Sequence, residues 1–363
     1  MNREPPILLP PKTGRTTLRD LANYLGVSQT TVSLVLNDAP QAKGLSAETR
    51  RRVLQAAAEH NYRPSYFARN LGKTRSESIG VIAPDLSEGY FTKVMEGVER
   101  HLAKQHYLYM TSCHYWRPEL MQRYAQLLLD RGAEGLLLLN TNADFITPLP
   151  VVAISGHKSG AGVTNVVLDH DRAAQLAIGH LYQLGHREIA FMRGPPQIMD
   201  SASRWEAMCA RAAEMGVMVR PDLTGRVGSS GWSPAAGYQV VKRLTARTRD
   251  FTGIVCFNDI AAIGAMRALN EAGISVPGEV SVIGFDDIVS AAFHAPSLTT
   301  IRQPLEKMGE VASRVLLDKI EHPEANFPAE IVMEPKLMVR ESTGPARTPH
   351  SVKSRARVRR SAT

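Results

Sequence analysis

From residue 76 to about 343, short apolar runs alternate with longer stretches of helical period, and this alternation limits the fold more than any other feature of the chain. The runs 79–83, 135–139, 151–154, 166–168, 253–257 and 280–285 are apolar almost throughout, as in strands covered on both faces. Segments 107–113 and 188–192 read as further strands, and a last strand is expected over 331–340. Between them, 90–106, 118–131, 171–184, 203–215, 233–244, 258–272 and 304–320 repeat apolar residues at helical spacing. Regular strand–helix alternation implies an α/β fold of parallel sheets with helices on both faces. The body holds about 270 residues, roughly twice one doubly wound unit, so two lobes are expected.

Residues 16–75 follow a different rule. Thr17-Leu18-Arg19-Asp20 has the form of a capping box, and Leu18, Leu21, Ala22 and Leu25 then repeat at helical spacing. Gly26 stands where the helix must end in a left-handed residue. Ser28 can cap a second helix through Leu36, with Val32, Val35 and Leu36 facing inward. A third helix begins near Ser46, and Val53, Leu54, Ala57 and Ala58 can close a small core. Two short helices joined by a turn containing glycine make a helix-turn-helix. The outer face of its second helix carries Gln29, Thr30 and Ser33, polar side chains suited to base edges in a major groove. A small protein-binding bundle could share that geometry. Charge favours the DNA-binding reading: residues 1–75 hold 12 Lys/Arg against 5 Asp/Glu, the electrostatic footprint of a phosphate backbone.

The segments TLRDLANYLGVSQTTVSLVLN and SAETRRRVLQAAAEHNYRPSYFARNL resemble the DNA-binding headpiece of the LacI/GalR family of bacterial transcription regulators. LYQLGHREIAF, FNDIAAIGAM, VPGEVSVIGFDD and LTTIRQP are similar to recurring segments of that family's two-lobed, periplasmic-binding-protein-like core. The resemblance runs from Thr16 to Thr343. It implies a helix-turn-helix domain at 16–60, a hinge at 61–75 and an effector-binding and dimerisation core at 76–343, while the proline-rich residues 1–15 are expected to be a disordered arm. The first lobe would comprise about 76–168 and 304–329, the second about 171–300 and 333–343. A basic disordered tail, 344–363, would follow; it lacks the apolar heptads of a tetramerising coiled coil, so a homodimer is expected. The resemblance further implies that Thr17, Ser28, Gln29, Thr30, Thr31, Ser33, Asn37 and Tyr62 belong to the DNA-facing set for a near-palindromic operator. It implies too that a hinge helix brings Ala68 close to the minor-groove floor and wedges Leu71 between base pairs. Leu34 departs from the family pattern. Many relatives have a long polar or basic residue there, whereas Leu34 offers only apolar contact.

Ligands of doubly wound sheets bind at the carboxyl ends of strands. Read that way, and with the family's effector contacts carried over, the candidate pocket contains Tyr90, Phe91, Arg204, Trp232, Asn258 and Asp286. Arginine and carboxylate groups can hold adjacent hydroxyls while an aromatic face stacks on a sugar ring, so the set suits a sugar or sugar acid. Each also has a plainer role open to it. Asn258 or Asp259 can cap a helix, Tyr90 and Phe91 can be core, Trp232 can be packing, and Arg204 and Asp286 can pair with each other. Ser155 stands where many sugar-binding relatives have Asp.

Enzyme readings fare poorly. Gly72-Lys73-Thr74 resembles the end of a P-loop, but Phe67 occupies the position of its first glycine; Gly160-Ala161-Gly162 leads to Asn165 where a dinucleotide motif needs a third glycine. No nucleophile elbow is evident, His101 and His106 lack a third metal ligand, and no cofactor motif emerges. Cys113, Cys209 and Cys256 are few and scattered, as in reduced core thiols rather than a disulfide frame. No segment is long and apolar enough for a signal peptide or a membrane span. These features predict a cytoplasmic regulator, with a transported-solute receptor or a sugar-active α/β enzyme as disfavoured alternatives.

Overall fold

The computed structural model describes residues 16–62, 75–86, 89–141, 145–156, 162–228 and 233–347. The chain divides into two units between Ser76 and Glu77.

The first unit contains α1 (Leu18–Leu25), α2 (Gln29–Leu36), a 3-10 turn (Pro40–Gly44) and α3 (Ala47–Glu59). Thr17 caps α1 in a reciprocal box with Asp20, Gly26 closes it at φ 66°, and Ser28 caps α2 by accepting from the Thr31 amide. Leu21, Ala22, Leu25, Val32, Val35, Val53, Ala56 and Ala57 form the core. Leu54 and Ala58 do not belong to it and are exposed, while Ala56 is buried in their place. The inward stripe of α3 is therefore set by Val53 with Ala56 and Ala57, three and four residues on.

The second unit contains two six-stranded sheets. One is ordered β2-β1-β3-β4-β5-β11, from Leu108–Cys113, Ser78–Ala83, Leu136–Leu139, Val151–Ile154, Thr164–Leu168 and Glu330–Met333, and all its strands are parallel. The other is ordered β7-β6-β8-β9-β10-β12, from Thr224–Arg226, Ile189–Arg193, Gly253–Val255, Ser281–Asp286, Thr299–Arg302 and Lys336–Met338. There only β12 runs antiparallel. In the first lobe α4 (Gly89–Lys104) and α11 (Leu305–Glu321) cover one sheet face and α5 (Pro118–Asp130) the other. In the second, α6 (His170–Gln183) and α7 (Met199–Glu214) cover one face, and α8 (Pro234–Arg247) and α9 (Asp259–Glu271) the other. A short α10 (Val289–Phe293) follows β9.

Helices α4 and α11 meet at backbone contact. A Cβ on Gly97 would lie 1.9 Å from the Glu306 carbonyl oxygen, and one on Gly309 2.1 Å from that of Val94. The central β3 is fully buried along its whole length, which explains its four consecutive leucines.

The expected last strand, 331–340, is in fact two. β11 extends the first sheet, and the chain then passes through Glu334 and Pro335 to β12 in the second. Proline lacks the N–H that a continuing ladder needs. The chain changes sheet at two further points, between β5 and α6 and between β10 and α11.

Candidate functional site

On the headpiece, Gln29 and Thr30 are exposed at the start of α2, with Thr31 and Ser33 half-buried behind them. Thr17 and Ser28 are committed to capping, and the Ser28 hydroxyl lies 2.9 Å from that of Thr31. Asn37 donates to the Ser33 hydroxyl at 3.2 Å, and Tyr62 packs against the headpiece core. Leu34 is half-buried. The three arginines of α3 have separate surroundings. Arg51 pairs with Glu48 at 2.8 Å, Arg52 donates to the Leu25 carbonyl at the end of α1, and Arg50 is exposed. Ala68 and Leu71 lie outside the described residues, as does Trp232.

In the core, the carboxyl ends of both sheets contribute to one cavity. Its lining is Tyr90 and Asn140 from the first lobe, with Ile198, Asp200, Arg204, Phe257, Asn258 and Asp286 from the second. Its volume is about 10 Å³, room for roughly one water molecule, so the lobes are closed upon it.

Arg204 is the centre of the arrangement. Its guanidinium is buried and lies 3.6 Å from the Phe285 ring centroid and 5.0 Å from that of Phe257. One terminal nitrogen donates to the Phe257 carbonyl at 2.7 Å, and the other stands 3.7 Å from Asp200. Two aromatic faces and a carbonyl thus fix a cation that would otherwise be costly to bury. Asp200 lies one helical turn before Arg204 on α7 and 3.4 Å from His170. Asp286 ends β9 at φ 113° and accepts from the Gln303 amide at 2.6 Å. Burial pushes its carboxyl up to about 7, against the opposing pull of Arg204 and the Gln303 hydrogen bond. Arg204 and Asp286 therefore have separate immediate partners and act on each other through the field across the cavity.

Asn258 has a double role. Its Oδ1 caps α9 by accepting from the Ala261 amide at 2.8 Å, while its Nδ2 is buried without a partner. Arg204 Nε and Asn140 Oδ1 are likewise buried and unpartnered. Three cavity-lining residues thus keep polar atoms unsatisfied, a condition that buried groups rarely tolerate without a ligand or water. Asp259 is structural: its carboxylate accepts from the Thr300 hydroxyl at 2.5 Å and the Ile288 amide at 2.9 Å.

Tyr90 and Phe91 separate. Tyr90 lines the cavity, and its hydroxyl lies 2.9 Å from that of Ser155. Burial, reinforced by Asp200, holds the phenol above its usual range, so it remains a neutral hydroxyl. Phe91 does not line the cavity; it is fully buried in the first-lobe core, edge-on to Tyr90. Successive residues on a helix point about 100° apart, so adjacency in sequence could not keep both in one pocket.

Asp200, Asn140, Ile198 and Gln303 were missed by sequence reasoning. The helix predicted over 203–215 begins four residues earlier, at Met199, which brings Asp200 into its first turn. The spacing of Asp200 and Arg204 was a usable signal. A lone Asn after β3 or Gln after β10 gives none. A larger cavity, about 970 Å³, opens elsewhere, at the amino ends of β4, β5 and β11. Its buried cation, Lys319, is already bonded to the Gly162 carbonyl at 2.7 Å.

Comparison with known proteins agrees with both halves of this description. The family model for bacterial regulatory proteins of the lacI family matches residues 17–65, and that for a periplasmic binding protein-like domain matches 178–343. The HTH-type transcriptional repressor PurR of Haemophilus influenzae is 31% identical over 335 residues, covering 90% of this chain and 98% of that protein. The lac repressor dimer bound to operator and the anti-inducer ONPF superimposes with a TM-score of 0.78 at 26% identity, covering 91% of this chain and all of the other. The transcriptional regulator CelR in complex with cellobiose gives 0.68 at 26% identity, covering 90% and 100%. Among the described residues no helix is long and apolar enough to cross a membrane. With a capped helix-turn-helix ahead of a two-sheet α/β core, and relatives matched along nearly their whole length, the chain belongs to the LacI family of bacterial transcription regulators.

Proposed function

We propose that the protein is a homodimeric repressor whose affinity for a near-palindromic operator is controlled by a sugar or sugar acid held between the two lobes. The observation that carries the ligand reading is the set of buried, unpartnered polar atoms on Asn140, Arg204 and Asn258 around a cavity that also presents Asp200 and Asp286. Donors (Arg204 Nε, Asn258 Nδ2) and acceptors (Asn140 Oδ1 and the two carboxylates) meet at one cleft, which on opening would suit hydroxyls that each give and receive a hydrogen bond. Ser155 is engaged with Tyr90, and among the described residues the carboxylates lining the pocket, Asp200 and Asp286, belong to the second lobe. The cellobiose complex of CelR and the operator complex of the lac repressor dimer support the same division of labour. Gln29 and Thr30 would face bases in each half-site, while the hinge around Leu71 would wedge the minor groove.

Ligand control needs only that the closed and open lobes differ in affinity for the sugar and in support for the hinge. The test is a gel shift on DNA upstream of the protein's own gene, at fixed near-physiological salt, with a panel of pentoses, hexoses, disaccharides and sugar acids. A specific complex that one compound removes or strengthens is the expected result. Binding indifferent to both DNA sequence and every compound would sink the reading.

A further inference from the structure

The cleft reading leaves Trp116 unexplained, and the following inference rests on that reading. Trp116 belongs to the first lobe by connectivity, in the loop between β2 and α5. Its side chain nevertheless packs against the core cluster of the second lobe, the one containing Phe257, Ile260 and Ile288. A second contact lies where α4 begins: a Cβ on Gly89 would stand 3.0 Å from Ile288.

The turn that carries Trp116 is rigid. His114 is fully buried; its Nδ1 accepts from the Trp116 amide at 3.1 Å, and its Nε2 lies 2.9 Å from the Thr141 hydroxyl. That hydroxyl donates to the Leu139 carbonyl at 2.7 Å, so its proton is already used. Nε2 must then carry the ring proton and Nδ1 must lack one, which defines a single neutral tautomer. Burial holds the imidazole down, to about 4, so this arrangement persists at neutral pH. Backbone bonds from Tyr115 to the Pro84 carbonyl and from Arg117 to the His114 carbonyl, both 2.9 Å, complete the anchorage. Tyr115 and Trp116 have φ of 48° and 61°, two consecutive non-glycine residues in the left-handed region. Such a conformation persists only where the surroundings over-determine it.

We infer that Trp116 is an interlobe clamp: a side chain held stiffly by the first lobe whose apolar contact with the second exists when the cleft is shut. A contact made in one state and absent in the other biases the equilibrium between them. Trp116 is thus a positioning residue for closure, outside the polar lining of the cavity.

Both tests use the full-length protein without ligand, so they succeed or fail whether or not any sugar binds. The chain has three tryptophans, and the Trp205→Phe/Trp232→Phe variant leaves Trp116 alone. Its emission should be blue-shifted and quenched several-fold less by acrylamide than in the urea-unfolded protein. Water-like emission with full quenching in the folded protein overturns the clamp. In hydrogen exchange, Trp116→Ala should speed exchange of the cleft segments at the starts of α7 and α9 about tenfold or more. Protection of β3 should be unchanged, and Trp116→Phe should restore most of the cleft protection. Cleft exchange that stays at the wild-type rate in Trp116→Ala, with β3 protected, overturns the proposal. Equal loss in β3 and the cleft does so too, because the residue would then serve general stability rather than closure.

Discussion

The Asp286 carboxyl stands where burial and charge oppose each other. Burial pushes it up to about 7, and Arg204 and the Gln303 amide pull the other way. A ligand hydroxyl that donates to this group favours its ionised form, so ligand binding below pH 7 must release a proton. The sign follows: affinity for a hydroxyl-bearing ligand of the cleft should weaken as pH falls from 7.5 to 6, by up to about tenfold per unit below the shifted pKa. Asp286→Asn should bind more weakly and with a nearly flat pH profile across that range. Calorimetric titration in two buffers of different ionisation heat checks both statements, and wild-type binding that is flat over the same range removes Asp286 from ligand contact. Arg204 would feel the same change indirectly, since its stacking on Phe285 fixes its position regardless of the carboxyl's state.

At the scale of the element, the paired glycines of α4 and α11 make a sharp prediction. Helix propensity alone says that Gly97→Ala should stabilise by about 1 kcal/mol. The Glu306 carbonyl, 1.9 Å from the added carbon, says the reverse, because neither backbone can retreat without parting the helices. We expect a loss of about 1–3 kcal/mol in urea unfolding of the full chain; a gain would show that the helices can separate freely. Elements of this kind were legible in the sequence to different degrees. The caps at Thr17 and Ser28 and the stop at Gly26 were readable, because each is a local rule linking residue type to backbone geometry. The buried strands were readable because both faces demand apolar residues. The division of 331–340 was not, since Val332 and Leu337 look alike as strand residues and only the choice of sheet separates them. Tyr90 and Phe91 looked equivalent for a similar reason. Asn140 and Gln303 reach the cavity region only through tertiary structure, as single polar residues after strands with no periodicity to mark them.

For the whole molecule, the proposed hinge would join DNA reading to ligand sensing. If Leu71 wedges the minor groove as proposed, Leu71→Ala should reduce specific operator affinity by at least about tenfold while sparing most non-specific binding, because a wedge would act on one bent site and phosphate contacts would act everywhere. Fluorescence anisotropy on operator and scrambled duplexes at equal salt separates the two; equal loss on both would remove the wedge role. The order in which the chain visits its sheets has a further consequence, for synthesis. The first lobe's β5 ends at Leu168, but its sheet neighbour β11 comes only after the whole second-lobe run from α6 to β10. The helix α11, which packs over the same sheet, comes just before β11. On the ribosome, roughly 165 residues separate the two edges, a delay on the order of 10–30 s. Throughout that interval the β5 edge and an apolar sheet face await their cover, so the nascent first lobe is open to wrong pairing until α11 and β11 emerge.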